Sequence, residues 1–96
     1  MRLEEYYKYY LTLHTNVWNR RLHVAGQLTT IVFTLYVLYN WMWYLFPLIP
    51  FVVYPFAWSG HYFFEKNKPA AFSSPIMAKV SDMLMFRDWV LGRIER

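Results

Sequence analysis

The chain has three imidazoles, His14, His23 and His61, and Glu65 follows the last of them by four residues. It has no cysteine, so a metal would be held by His, Asp, Glu or backbone. His61 and Glu65, one helical turn apart, project from one side of a helix. Three imidazoles, or two with a carboxylate, suit a divalent transition metal that keeps open positions. Two His and one carboxylate are typical of non-haem Fe(II) oxygenases. Zinc accepts the same ligands. Glu65 can equally accept a ring N–H and orient an imidazole. Each group also has a plainer reading. Interfacial histidines serve as amphipathic anchors, and Glu65 beside Lys66 and Lys68 reads as a solvated helix-end charge. Arg20 and Arg21 read as topology signals.

Composition says what must position these groups. Hydrophobic residues make up 57% of the 96 residues, aromatics 23% and charged residues only 17%. The charges lie outside residues 22–64. That pattern indicates a single all-α membrane domain, 1–96. The net charge of +4 flanks the apolar spans and forms no stripe, which argues against nucleic acid as a partner. The N-terminus, MRLEEYYKYY, lacks the form of a cleavable signal peptide.

The expected elements form a two-span helical hairpin between an N-terminal interfacial helix and a C-terminal amphipathic helix. Residues 2–13 put Tyr6, Tyr9, Tyr10 and Leu13 on one face, suited to the headgroup level. Asn16 caps the next helix, a first span over 17–46. Leu22 to Phe46 is uncharged if His23 is neutral, and long enough to cross a hydrocarbon core of about 30 Å. Pro47 and Pro50 bracket a reversal, and a second span returns over 48–65, kinked at Pro55. A re-entrant hairpin that never reaches the far side is the alternative. Residues 67–75 are a loop. An amphipathic helix over 76–94 carries Ile76, Val80, Met83, Leu84, Trp89, Leu91 and Ile94 opposite Lys79, Asp82, Arg87, Asp88 and Arg93. Arg20 and Arg21 before the first span and Lys66 and Lys68 after the second put both termini on the cytoplasmic side.

In such a hairpin His14, His23 and His61 lie near one membrane face. Asn19, His23, Gln27, Thr30 and Thr34 recur at helical spacing and form a stripe that faces protein. The stripe can also be simple interhelical glue.

HTNVWNRRLHVAGQ (14–27), FAWSGHYFFEKNKPAAF (56–72) and DMLMFRDWVLGRI (82–94) closely resemble the 2-hydroxy fatty acid dioxygenase-like family. The resemblance spans most of the chain in order and spacing. It implies an enzyme of fatty acid α-oxidation that uses Fe(II) and O2 to shorten a long-chain 2-hydroxy fatty acid by one carbon. It carries metal-binding positions onto His14, His23 and His61, and further site positions onto Asn19 and Glu65. On this reading Glu65 is a fourth ligand or a base, and Arg20, Lys66 or Lys68 steers the substrate carboxylate. The acyl tail runs between the spans, beside Val24, Leu28, Phe56 and Phe63. Fe(II) is favoured over zinc. So short a form fits a bacterial inner membrane better than the endoplasmic reticulum, and a homo-oligomer would help enclose the polar stripe. Two alternatives differ in class: a non-catalytic membrane adaptor or assembly protein, and a haem protein ligated by His23 and His61.

Overall fold

The computed structural model describes residues 2–72 and 74–95. Ser73 in the expected loop, and Met1 and Arg96 at the ends of the 1–96 domain, lie outside the described residues. Every element is helical, and no strand occurs among the described residues.

The longest element is α2 (Val17–Tyr39), 23 residues, about 34 Å at 1.5 Å per residue. Among the described residues it is the one helix long and apolar enough to cross a membrane. Its N-terminus is capped as its sequence predicts, by Asn16 Oδ1 accepting from the Trp18 amide at 2.8 Å. It stops before residue 46. Trp41 adopts a left-handed φ of 56°, and the Met42 amide returns to Val37 O at 3.0 Å.

The run that follows, expected as a single span over 48–65, is three short pieces. Trp43–Phe51 is a 3-10 helix containing Pro47 and Pro50. Neither proline has an N–H to donate, and their rings clash with a continuing α-helix. α3 (Tyr54–Gly60) begins next, and Pro55 sits in its first turn, where proline is tolerated, instead of kinking a longer helix. His61–Glu65 is a π-helical turn closed by Lys66 in the left-handed region.

α2 and α3 run antiparallel at close range, and two glycines permit it. A Cβ on Gly26 would lie 2.9 Å from Val53 Cγ2, and one on Gly60 would lie 1.9 Å from Asn19 Oδ1. Position 26 is thus level with 53, and 19 with 60.

α1 (Leu3–Thr12) packs against α4 (Pro75–Val90). Tyr6, Tyr10, Ala70, Ala78 and Met85 form the buried cluster between them. This corrects the interfacial reading of α1: Tyr6 and Tyr10 face protein, and Tyr9 stays exposed. Burying a side chain such as Met85 contributes about 1.5–3 kcal/mol.

α4 buries polar residues beside Ala78 and Met85 and leaves much apolar surface outside. Ser81, Asp82 and Asp88 are buried, whereas Ile76, Val80, Met83 and Leu91 are exposed. The aspartates point inward because partners wait there. Asp82 accepts from His23 and Gln27, and Asp88 from Tyr7 and Arg87.

Candidate metal centre

His14 comes from the link between α1 and α2, His23 from α2 and His61 from the start of the π-helical turn. All three are buried, and one ligand atom from each lies within 4.8 Å of the others. The ring centroids are 4.5 Å apart for His14–His61, 4.6 Å for His14–His23 and 5.3 Å for His23–His61. Two nitrogens bound to one ion at about 2 Å each are at most about 4 Å apart, so small ring rotations close the set.

The hydrogen bonds fix the tautomers. His14 Nδ1 lies 2.7 Å from Tyr10 O, a carbonyl that only accepts. His23 Nδ1 lies 2.9 Å from Asp82 Oδ1, and an ionised carboxylate only accepts. His61 Nδ1 lies 2.6 Å from Asn67 Oδ1. The Asn67 amide cannot be flipped, because its Nδ2 donates to Leu13 O at 3.1 Å. Each Nδ1 therefore carries a proton, and a ring in its neutral form presents its lone pair at Nε2. The Nε2 atoms of His14 and His23 are buried with no hydrogen-bond partner. Burial, followed by the closeness of the His23 ring, holds the His14 ring neutral, its pKa lowered to about 2.

Two buried ring nitrogens without a donor, beside a third imidazole, are a costly arrangement for an empty polar pocket. A cation resolves it. Three neutral imidazoles, each held by an acceptor on its far nitrogen, are the donor set a divalent transition metal takes. His14, His23 and His61 can hold such an ion.

Around them, Tyr10 stacks on His14 at 3.9 Å. Asn19 is fully buried one turn before His23 and against Gly60, with both side-chain polar atoms unpartnered. Gln27 donates to Asp82 Oδ2 at 2.9 Å. Thr30 and Thr34 bond back to Gly26 O and Thr30 O of their own helix. They satisfy themselves and join no second helix.

Some expected site residues lie elsewhere. The Glu65 carboxylate accepts from the Asn16 backbone amide and from Thr15 Oγ1. It secures the start of α2 and is not brought into the imidazole set. Arg20 Nε donates to His14 O at 2.5 Å, and its Nη1 donates to Glu95 O. Lys66 and Lys68 are exposed. Of the expected tail-lining residues only Val24 is buried, and Leu28 and Phe63 are exposed. The His23 and His61 ring centroids, 5.3 Å apart, are closer than two imidazoles on opposite faces of a haem iron would be.

Two residues of the site lie outside the sequence-based set. Asp82 reads from sequence as the solvated face of an amphipathic helix, and Asn67 as a loop residue. An acidic residue on a helix with so much exposed apolar surface was the available signal for Asp82.

This helical chain gathers three imidazoles around one buried point, where they could hold a metal ion. Residues 1–94 match the family described as 2-hydroxy-palmitic acid dioxygenase Mpo1-like, and the chain belongs to that family. No curated protein and no solved structure matches it significantly.

Proposed function

We propose that this chain is a membrane-embedded Fe(II)-dependent dioxygenase that shortens long-chain 2-hydroxy fatty acids by one carbon. One observation carries the reading: three buried imidazoles converge, and the Nε2 atoms of His14 and His23 there have no hydrogen-bond partner. The family description supports the substrate class and the use of O2. Iron is favoured over zinc because zinc has no redox chemistry.

When bound, iron supplies Lewis acidity and activates O2. The protein's part is positional. Nε2 of His14, His23 and His61 hold the ion. Tyr10 O, Asp82 and Asn67 hold the far nitrogens, so that the rings keep their orientation. All three ligands are neutral, so a substrate carboxylate supplies the negative charge that offsets the ion's charge in a buried site. The Asn19 carboxamide has a free donor and a free acceptor, and orients the 2-hydroxyl and carboxylate oxygens. Glu65 acts at a distance by fixing the start of α2 between His14 and His23. Arg20, Lys66 and Lys68 attract the anionic head to this end of the molecule.

The membrane reading rests on exposure. Ile31, Val32, Leu35, Trp41, Tyr44, Phe46 and Phe51 cover the half of the hairpin away from the imidazoles and are all exposed. So broad an apolar surface marks a lipid contact. α2 crosses the bilayer and the 3-10, α3 and π segment returns, with both termini cytoplasmic in a bacterial inner membrane. A second copy of the chain can cover part of this surface.

The test is anaerobic purification, iron analysis and incubation with 2-hydroxypalmitate and O2. Expected are about one iron per chain and a product one carbon shorter. Full turnover by the His23→Ala, His61→Ala double variant overturns the reading. So does an iron-loaded wild-type protein that leaves 2-hydroxy acids unchanged.

A further inference from the structure

An enclosed space between α3 and α4 adjoins the imidazoles. His23, His61 and Asp82 form its inner end. Ala57 of α3 and Ala78 of α4, both buried, are its facing walls. Its outer end is Tyr54, Trp58 and Lys79. Free volume inside is about 20 Å³, room for about one water molecule.

The outer end is aromatic and half open. Trp58 is 36% exposed. It stacks on Tyr54 at 5.3 Å and meets Phe72 edge-on at 5.3 Å. The Lys79 ammonium is drawn aside: its Nζ donates to Pro50 O at 2.8 Å and lies 5.3 Å from the Tyr54 ring. Its aliphatic stem is left along the opening.

A second, larger space of about 260 Å³ lies on the other flank of α3, lined by Leu22, Pro55, Phe56 and Ser59. It is open and apolar, and it is the groove beside Phe56 that a tail running between the spans would use. No imidazole lines it.

We infer that the substrate's acyl chain leaves the imidazole site between α3 and α4, across Ala57 and Ala78, and emerges past Trp58 into lipid. This rests on the proposed function and specifies its chain-binding route. The two alanines set the width of the passage, where a branched or aromatic side chain would close the space and a slender one such as a thiol would narrow it without filling it. The chain enters when the Trp58 indole and the Lys79 stem swing outward. The aromatic rim and the exposed Phe72 and Ile76 beyond it present apolar surface to the emerging methylenes.

The absence of cysteine makes a direct test possible. Ala78→Cys and Ser59→Cys each place one thiol, in the passage and in the outer groove respectively. Each variant is loaded with Co(II) in detergent and treated with methyl methanethiosulfonate, with and without 2-hydroxypalmitate. The cobalt spectrum reports independently whether the acid reaches the metal. At an acid concentration about ten times its Kd, modification of Ala78→Cys slows about tenfold and that of Ser59→Cys hardly at all. Protection of Ser59→Cys in place of Ala78→Cys overturns the inference. A cobalt spectrum that responds to the acid with neither thiol protected overturns it as well, while leaving the proposed function intact. An Ala78→Cys thiol that never reacts in acid-free protein shows that the passage does not open, with the same consequence. A wild-type cobalt spectrum indifferent to the acid removes the proposed function, and this route with it. Ala57→Cys, on the facing wall, gives the same readout should Ala78→Cys not fold.

Discussion

His23 Nδ1 donates to Asp82 Oδ1 at 2.9 Å, across 59 positions of sequence and between two buried side chains. The bond fixes the His23 tautomer and turns its Nε2 toward His14 and His61. An acceptor on the far nitrogen holds an imidazole in place as a metal ligand. Asp82→Ala should therefore weaken metal binding about 10- to 100-fold. Competition with a colorimetric chelator measures it. An Asp82→Ala protein that holds metal as tightly as wild type would show that Asp82 serves only the packing of α4.

Asn67 does two things at once, and two substitutions separate them. Its Oδ1 accepts from His61 Nδ1 and its Nδ2 donates to Leu13 O, next to His14. Asn67→Asp keeps the acceptor and loses the donor. Asn67→Ala loses both. Metal affinity should fall about 10- to 100-fold in Asn67→Ala and much less in Asn67→Asp. Equal losses in the two variants would mean that the tether to Leu13, and not the support of His61, governs the site.

That His14, His23 and His61 come together was legible in the sequence for a physical reason. Three rare imidazoles flanking one apolar hairpin had to meet wherever the chain doubled back. The capping role of Asn16 and the inward stripe of Asn19, His23 and Gln27 follow from local chemistry and helical period. The supporting residues were not legible, because their partners come from distant segments. Asp82 and Asp88 face inward on α4 while Ile76, Val80 and Met83 face outward, so amphipathicity placed these residues on the wrong faces. Periodicity tells which residues share a face, but not whether water or lipid lies outside it. The second span opens with a 3-10 stretch around Pro47 and Pro50, which was not legible because hydropathy counts apolar residues and is blind to missing N–H donors.

The Tyr7–Asp88 pair ties α1 to α4 and gives a pH signature. Tyr7 Oη donates to Asp88 Oδ2 at 2.5 Å. Burial pushes the Asp88 carboxyl up, but the Tyr7 hydroxyl, Arg87 and Arg93 outweigh it and leave its pKa below the ordinary value. A depressed folded-state pKa adds stability above the unfolded value of about 4, lost as pH falls through the folded pKa. Tyr7→Phe removes a hydrogen bond to a charged group and should cost about 1.5–3 kcal/mol at pH 7. The deficit should shrink below about pH 4. Thermal unfolding of both proteins across that range checks it, and a deficit constant with pH would place the loss in packing.

Gly60 and Asn19 test the close approach of α2 and α3. A methyl at position 60 would lie 1.9 Å from Asn19 Oδ1 and 3.2 Å from Asn19 Cα. The first clash involves a side chain that can be shortened, and the second involves backbone that cannot. Gly60→Ala should destabilise the protein by about 1–3 kcal/mol through overpacking. Adding Asn19→Ala should recover most of that loss, since it removes the nearest atoms. The residual deficit reports the backbone contact. The coupling between the two substitutions, read from thermal unfolding of both single variants and the double, should be of order 1 kcal/mol. Additive losses would mean that α3 simply slides along α2 to admit the methyl. Metal affinity measured alongside would then show whether His23 and His61 stay close enough to share an ion when the helices part.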